Sequence, residues 1–305
     1  MKILITGGLG HIGSFVIKNF TKNKKIKKIF VIDNISNQRF PVLLSMNSSK
    51  IRFLYGDTAD KKLYKKIPKV NIVLHLASIT NAEKSFDIKK EIYKNNFGSF
   101  KNIINFCKKN NSKLIHISST SVYGPQKNIV DEKLEKLFPQ SPYAIIKLKE
   151  ENLLKNQKKV KYISLRFGTI SGFSEGMRFH TAVNKFCFNS VMGIKIPIWG
   201  KAIKLYRPYL SLSDAQKTLK FVIENNFFPS DIFNILSENK TVREIINIIK
   251  KNNQKPKLKF INSRILNQDS YKISKNKIQK FGLNLNSKIS KDIKTTLKKL
   301  STKMK

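Results

Sequence analysis

A doubly wound α/β fold is predicted by three features of the sequence. Short β-rich runs alternate with helix-length amphipathic segments, the first run opens into a glycine turn, and the second ends on an aspartate. The runs Lys2–Thr6, Lys28–Asp33, Arg52–Tyr55, Ile72–His75, Lys113–Ser118 and Tyr162–Phe167 are rich in Ile, Val, Leu and Phe, as strands covered on both faces require. Between them Ile12–Asn23, Lys61–Lys66, Ile88–Asn110 and Pro142–Gln157 carry apolar residues three and four apart, with lysines opposite, and predict helices. Such alternation closes a parallel sheet with helices on both faces, a Rossmann-type architecture. Beyond Gly172 the pattern loosens into a helix near Phe179–Met192, a strand near Lys195–Trp199, and the helices Ser213–Asn225, Thr241–Asn252 and Ser287–Leu300. Thr241 followed by Glu244 forms a capping box. This later part predicts a smaller, mixed C-terminal region.

A chain of 305 residues with 40% apolar content can bury a substantial core. It has no run approaching the roughly 20 apolar residues of a membrane span, and Met1-Lys2-Ile3-Leu4-Ile5 leads straight into the glycine turn, so a cytoplasmic protein is expected. Cys107 and Cys187 are far apart and lack partners at metal-ligand spacing, which predicts packing residues with neither a disulfide framework nor a metal site. The net charge of +41 points on its face to a polyanionic partner. Only seven of the 60 basic residues are arginine, however, and the lysines are spread through every predicted helix among Asn and Ile. That distribution fits an AT-rich coding sequence better than a dedicated nucleic-acid surface, and no specific nucleic acid is expected.

Strand Lys2–Thr6 runs into Thr6-Gly7-Gly8-Leu9-Gly10-His11-Ile12-Gly13. Gly7 permits the tight turn, Gly10 lets backbone approach a pyrophosphate, and Gly13 lets helix and strand pack closely. Asp33 stands 20 residues after Gly13, where a carboxylate accepts hydrogen bonds from the adenosine ribose. It would repel a 2′-phosphate, so NAD is the expected cofactor. Residues 1–171 are then an NAD-binding domain to which 208–238 return, with 172–207 and 239–305 as the substrate-binding region.

The run Ser118-Ser119-Thr120-Ser121-Val122-Tyr123-Gly124 places hydroxyls at the carboxyl edge of the sheet, where open α/β folds bind ligands. Nineteen residues past Gly124 comes Tyr143, then Lys147 one helical turn later. On one helix face, the ammonium can draw the phenol pKa down from about 10 toward that of a working base. Ser119 can hydrogen-bond the same substrate oxygen. Glycine turn, acid, hydroxyl cluster and Tyr-x-x-x-Lys stand in the order that a hydride-transfer site needs.

With these residues the sequence resembles the extended short-chain dehydrogenases, and within them the NAD-dependent epimerase/dehydratase family that includes UDP-glucose 4-epimerase. The resemblance covers nearly the whole chain. It extends to Tyr55-Gly56-Asp57, to His75-Leu76-Ala77-Ser78 and to Asn95-Asn96-Phe97-Gly98-Ser99. It implies cofactor contacts from His11, Ile12, Asn34, Asp57, Thr58, Leu76, Ala77, Ser78, Asn95, Tyr143 and Lys147. Farther on, Leu165–Gly172 resembles the segment that turns from cofactor to sugar, and Tyr206-Arg207-Pro208-Tyr209 resembles the loop whose Arg grips the substrate pyrophosphate. The run Gly176-Met177-Arg178-Phe179-His180 and Asn184 resemble a substrate segment. Ser119, Thr120, Thr169, Arg178, Asn184 and Arg207 are thus the implied substrate contacts.

Dehydratases of the family carry an Asp-Glu pair after the catalytic Ser/Thr. Here Thr120 and Ser121 stand there, and neither is an acid or base near neutral pH, which argues against elimination of water. The expected activity is inversion of a nucleotide-sugar at C4 through a transient 4-keto sugar, with Tyr143 as base. A dehydrogenase, reductase or decarboxylase of the same family is the alternative, and a dinucleotide- or RNA-binding scaffold the non-enzymatic one. The resemblance also implies a homodimer, formed by Ile88–Asn110 and Pro142–Gln157 packing across an axis.

Overall fold

A computed structural model describes residues 1–81, 84–252, 254–261 and 271–302 of the chain. Its centre is a sheet of seven parallel strands: β1 (Lys2–Thr6), β2 (Lys28–Asp33), β3 (Ile51–Tyr55), β4 (Ile72–His75), β5 (Lys113–Ser119), β6 (Tyr162–Phe167) and β7 (Asp231–Ile235). They lie in the order 3-2-1-4-5-6-7. The direction of winding reverses between β1 and β4, and the carboxyl ends of those two strands open the crevice where ligands of such sheets sit. The main helices are α1 (His11–Phe20), α2 (Gly98–Asn110), α3 (Pro142–Lys155), α4 (Ala182–Val191), α5 (Leu212–Glu224), α6 (Val242–Lys251) and α7 (Ile289–Thr302).

The period of two along a strand sorts the core into two layers. Ile3 and Ile5 pack with Val16, Ile17 and Phe20 of α1 and Leu219 and Val222 of α5. Leu4, between them, faces the other way with Val73 and Leu114, against Phe100, Ile103 and Cys107 of α2 and Leu154 of α3. Each such side chain contributes roughly 1.5–3 kcal/mol on burial, which is what clamps the helices to the sheet. A third core joins α4, α6 and α7 through Val183, Phe186, Cys187, Ile245, Ile249 and Ile293. The two cysteines are free and buried, as expected. The predicted capping box starts α6: Glu244 donates its N–H to Thr241 Oγ1 at 3.2 Å, and Thr241 donates its own to Glu244 Oε2 at 2.7 Å.

The structure departs from expectation in four places. Lys61–Lys66 is a 3-10 helix, its start capped by the Asp60 side chain. The long helix expected over Ile88–Asn110 is interrupted by a π turn at Tyr93–Phe97, between a short helix at Lys89–Ile92 and α2. Strand β7 escapes a search for apolar runs because polar Asn234 sits inside it; its side chain is buried and accepts the Tyr123 hydroxyl at 3.0 Å. Tyr206–Ser211, expected as a loop, is a strand despite Pro208, between Thr169–Ser171 (parallel) and Glu238–Thr241 (antiparallel). Among the described residues no helix is long and apolar enough to cross a membrane, and no three His, Cys, Asp or Glu side chains are grouped to hold a metal.

Helix α7 is tied to this small sheet through Asp292, which accepts hydrogen bonds from Ser171 Oγ at 2.5 Å and Ser211 Oγ at 3.0 Å. Burial outweighs these bonds and pushes its carboxyl up to about 6. An acid raised on folding ionises first in the unfolded state, so the native state loses stability as pH rises from the unfolded value toward the folded one, and the penalty is complete above it and absent below the unfolded value. Replacing Asp292 by Asn removes that dependence. Urea unfolding should show Asp292→Asn gaining about 2–3 kcal/mol relative to wild type between about pH 3.5 and 7, most of it between about pH 4 and 6. A difference constant with pH contradicts it.

Candidate active site

Gly7 leaves β1 with φ +65, and a Cβ there would lie 2.7 Å from the Ala77 nitrogen, so only glycine lets β1 and β4 end side by side at the switch point. A Cβ on Gly13 would meet Gly8 O at 2.5 Å, which fixes how closely α1 approaches the turn. The result is a cleft of about 690 Å³, bounded on the sheet side by Gly7, Gly10, Asp33, Asn34, Asp57, Thr58, Leu76, Ala77, Ser78 and Asn95. Ten positions scattered over the first hundred residues of the sequence therefore converge on one wall. The Asp33 carboxylate is oriented by the Leu9 N–H at 3.1 Å and the Ile35 N–H at 2.9 Å, one on each oxygen, and each oxygen keeps a lone pair for a ribose hydroxyl. Asn34 donates to Asp57 Oδ2 at 3.2 Å, and both line the cleft. Thr58 lines the cleft with its hydroxyl engaged by Ser99 at 2.6 Å.

The glycine cradle, the oriented carboxylate and the cleft volume fit a dinucleotide. His11 and Ile12 open the first turn of α1 and are not among the residues that line the cleft. The His11 ring is buried, with Nδ1 2.8 Å from Ser174 Oγ and Nε2 3.2 Å from Asn184 Nδ2, and burial followed by nearby Arg178 lowers it to about 3.

The second half of the site stands on α3. Ser141 caps that helix, accepting the Ala144 N–H at 3.2 Å, and Pro142 occupies its first turn, so Tyr143 emerges at the start. Lys147, one turn on and 3% exposed, places its Nζ 5.9 Å from the Tyr143 ring centre. Ser119 Oγ accepts both the N–H (3.2 Å) and the hydroxyl (2.9 Å) of Ser121, leaving its own hydrogen for the Tyr143 phenol oxygen, to which it is bonded. Ser119, Tyr143 and Lys147 are thus brought together at the carboxyl edge of β5.

Their electrostatics differ from expectation. Burial pushes the Tyr143 phenol up; Lys147, Ser119 and Arg178 oppose this without overcoming it, and the phenol stays above its ordinary value. A nearby carboxylate adds to the effect of burial: the Lys147 ammonium donates to Glu150 Oε2 at 2.8 Å, with Glu150 1% exposed. The neighbouring Glu151 accepts from Arg166 Nε (2.9 Å) and Nη2 (2.6 Å) and from Ser118 Oγ (2.6 Å). Glu150 and Glu151 were not singled out in the sequence. The available signal was two adjacent acids on the helix bearing Tyr143, in a chain with 19 acidic residues against 60 basic ones.

Among the residues implied for substrate, Arg178 lines the cleft beside Met177, Phe179 and His180. Burial, then the charge of Arg39, lowers its guanidinium to about 10. Arg207 stands on the small sheet with its guanidinium 5.1 Å from the Tyr271 ring centre, apart from the residues that line the cleft. Thr169 opens the strand Thr169–Ser171 opposite Tyr209. Thr120 is turned inward, 2% exposed, donating to Phe167 O at 3.3 Å. Asn184 is fully buried, accepts the Gly172 N–H at 3.2 Å and meets His11, so it joins the two halves of the chain. Two further residues do the same work: Gly176, quoted in the sequence only as the start of a substrate segment, and Ser174, not singled out there. A Cβ on Gly176 would strike Leu9 O at 2.4 Å, and Ser174 Oγ donates to His11 O at 2.9 Å. Asn96, beside the expected Asn95, holds Ile79 through both backbone groups, at 2.8 and 3.0 Å, and so shapes the loop after Ser78.

A doubly wound sheet with a glycine-cradled cleft at its switch point and a Tyr-Lys pair at its edge defines a dinucleotide-dependent enzyme class. The chain belongs to the NAD dependent epimerase/dehydratase family, whose model matches residues 3–235, and its cofactor is NAD. It is 27% identical over 236 residues, 73% of this chain and 72% of its relative, to the ADP-L-glycero-D-manno-heptose-6-epimerase of Brachyspira hyodysenteriae. It is 33% identical over 164 residues to the UDP-glucose 4-epimerase of Yersinia enterocolitica, a match covering 51% of this chain and about half, 48%, of that enzyme. Its fold is that of the Bacillus cereus UDP-glucuronic acid 4-epimerase, solved with UDP-glucuronic acid and NAD (TM-score 0.88, 23% identity, 99% of each chain). The Thermus thermophilus UDP-glucose 4-epimerase complexed with NAD shares it too (TM-score 0.86, 20% identity, 98% of this chain and 99% of that one).

The oriented Asp33 carboxylate makes cofactor affinity a direct test of the cleft. Asp33→Ala should weaken NAD binding about 10- to 100-fold in calorimetric titration, the worth of hydrogen bonds to a charged acceptor. Unchanged affinity would place the adenosine ribose elsewhere.

Proposed function

We propose that the protein is an NAD-dependent nucleotide-sugar epimerase that inverts C4. The observation that carries this reading is the convergence of Ser119, Tyr143 and Lys147 at the carboxyl edge of β5, where the dehydratases' acid pair is replaced by an inward-facing Thr120 and by Ser121, which is engaged with Ser119. Tyr143 takes the proton of the sugar 4-hydroxyl. It does so as the phenolate and becomes the phenol; Lys147 holds positive charge beside the phenolate before the transfer, and Ser119 turns its hydrogen from Tyr143 to the sugar oxygen. Bound NAD supplies the two-electron acceptor and then the donor. The cleft holds the resulting 4-keto sugar away from water, and Arg207 and Arg178 retain its pyrophosphate while the ring turns to present its other face. Residues 1–171 with 208–238 are proposed as the NAD-binding domain and the remainder as the substrate-binding region. Tyr93 (44% exposed) before α2 and Ile145 (42%) on α3 are apolar groups on the two segments proposed to pair in a homodimer.

The test is a panel of UDP-, GDP-, CDP- and dTDP-sugars incubated with protein and NAD, with product stereochemistry read by NMR and NADH by absorbance. The expected result is a C4-inverted sugar without NADH accumulating, with turnover falling at least about 10³-fold in Tyr143→Phe, as loss of a general base dictates. NADH released in proportion to product would overturn inversion in favour of a dehydrogenase. A panel entirely inert, with Tyr143→Phe indistinguishable from wild type, would overturn the enzymatic reading.

A further inference from the structure

Beneath the Tyr143–Lys147 pair lies a closed set of charges. Glu150 Oε2 receives two bonds, one from Lys147 Nζ at 2.8 Å and one from His116 Nε2 at 3.0 Å. His116, fully buried on β5, has its other nitrogen 2.9 Å from Ser164 Oγ on β6. A carboxylate only accepts, so His116 presents Nε2–H to Glu150, and in the neutral ring that burial favours Nδ1 accepts the Ser164 hydroxyl. The ring is therefore complete as a neutral imidazole and brings no positive charge. Burial, the largest influence on it, also holds it below its ordinary value.

The other groups facing this set leave the same balance. His75, on β4, is buried and bonded through Nδ1 to Thr6 Oγ1 at 2.8 Å, and burial brings it down to about 3, so it too is neutral. The rings of His75 and Phe100 lie 5.8 Å apart, and those of Phe100 and His116 4.6 Å, forming a column under the sheet edge. Glu151 is matched by Arg166, and Arg178 faces Tyr143 from the substrate side. One ammonium thus meets one carboxylate, and Glu150 Oε1 has no partner of its own among the described residues. Burial alone would raise the Glu150 carboxyl, yet Lys147 and His116 hold it down at about 2.

We propose that Glu150 is a positioning residue: its carboxylate, seated on neutral His116, fixes the Lys147 ammonium beside Tyr143 and offsets the charge that ammonium would otherwise lend the phenol. The proposal rests on Tyr143 and Lys147 as base and partner. A buried carboxylate this close cannot be screened by solvent, so it acts on both members of the pair in one direction. The phenol stays protonated until another positive charge, such as the cationic ring of a bound cofactor, comes beside it. Glu150 thereby keeps the base unarmed in a cofactor-free site.

The experiment uses cofactor-free protein labelled with ¹³Cζ-tyrosine, the Tyr143 resonance being identified by its loss in Tyr143→Phe and followed by NMR against pH. In Glu150→Gln its midpoint should fall by at least about one pH unit, a tenfold rise in phenolate at a given pH, while Glu150→Asp, which keeps the charge, should restore most of the difference. Equal midpoints in wild type and Glu150→Gln, or equal displacement in Gln and Asp, would reduce Glu150 to a structural ion pair. A second measurement leaves Glu150 intact. In ¹³Cδ-glutamate protein its resonance should inflect at the Tyr143 midpoint and lose that inflection in Tyr143→Phe; a resonance insensitive to Tyr143 overturns the proposal. Neither readout uses a sugar, so an inert sugar panel and an uncoupled Glu150 are separate failures.

Discussion

Two consecutive glutamates on α3 set the geometry of everything above them. Glu150 accepts a hydrogen bond from His116 on β5 and Glu151 is ion-paired with Arg166 on β6, so one helix is pinned by two carboxylates to two adjacent strands. Breaking the Glu151–Arg166 pair would strand a charge in a buried region, at a cost of roughly 3–5 kcal/mol, whereas apolar contacts between helix and sheet could slide at far less cost. The helix is thereby fixed in rotation and along its axis. Lys147 and Tyr143, one and two turns before these anchors, inherit that placement.

The opposite wall of the cleft is fixed by close approach rather than charge. Gly7 against Ala77, Gly13 against Gly8 and Gly176 against the Leu9 and Gly10 carbonyls leave no room for a Cβ at any of the three glycines. The first two contacts shape the turn within the parallel-sheet half of the chain. The third brings the later region down onto the turn, where His11, Ser174 and Asn184 complete the junction with hydrogen bonds. A dinucleotide lying across the switch point would touch both halves, since Gly7 and Gly10 line the cleft together with Met177, Arg178, Phe179 and His180. The shared surface of the two halves is thus also the wall of the cleft.

Much of this was legible in the sequence because it is written in local patterns. Apolar runs gave six of the seven sheet strands, and the spacing from Gly13 to Asp33 anticipated a carboxylate in the cleft. The missed features each turn on a polar group whose partner is distant in sequence. β7 was hidden by Asn234, which is polar yet buried because Tyr123, over a hundred residues away, donates to it. The π turn at Tyr93–Phe97 has no composition of its own. Asn184 resembled a substrate contact, but its amide is consumed at the junction with His11. The balance of charge at Tyr143 was the least legible. The Tyr-x-x-x-Lys spacing announces an ammonium near a phenol, but that the ammonium is paired with Glu150 depends on His116 arriving from a strand more than thirty residues earlier.

The claim that joins these parts is that one cofactor lies along the whole wall, from Asp33 across the glycine turn to the Tyr143–Lys147 pair. A crystal structure of the protein with NAD tests it most directly. The account predicts adenosine ribose hydroxyls on the Asp33 carboxylate, pyrophosphate over Gly10 and the first turn of α1, and the nicotinamide beside Tyr143, its C4 open to a sugar carbon at about 3–3.5 Å. A nicotinamide turned away from Tyr143, or a ribose that does not meet Asp33, would contradict it.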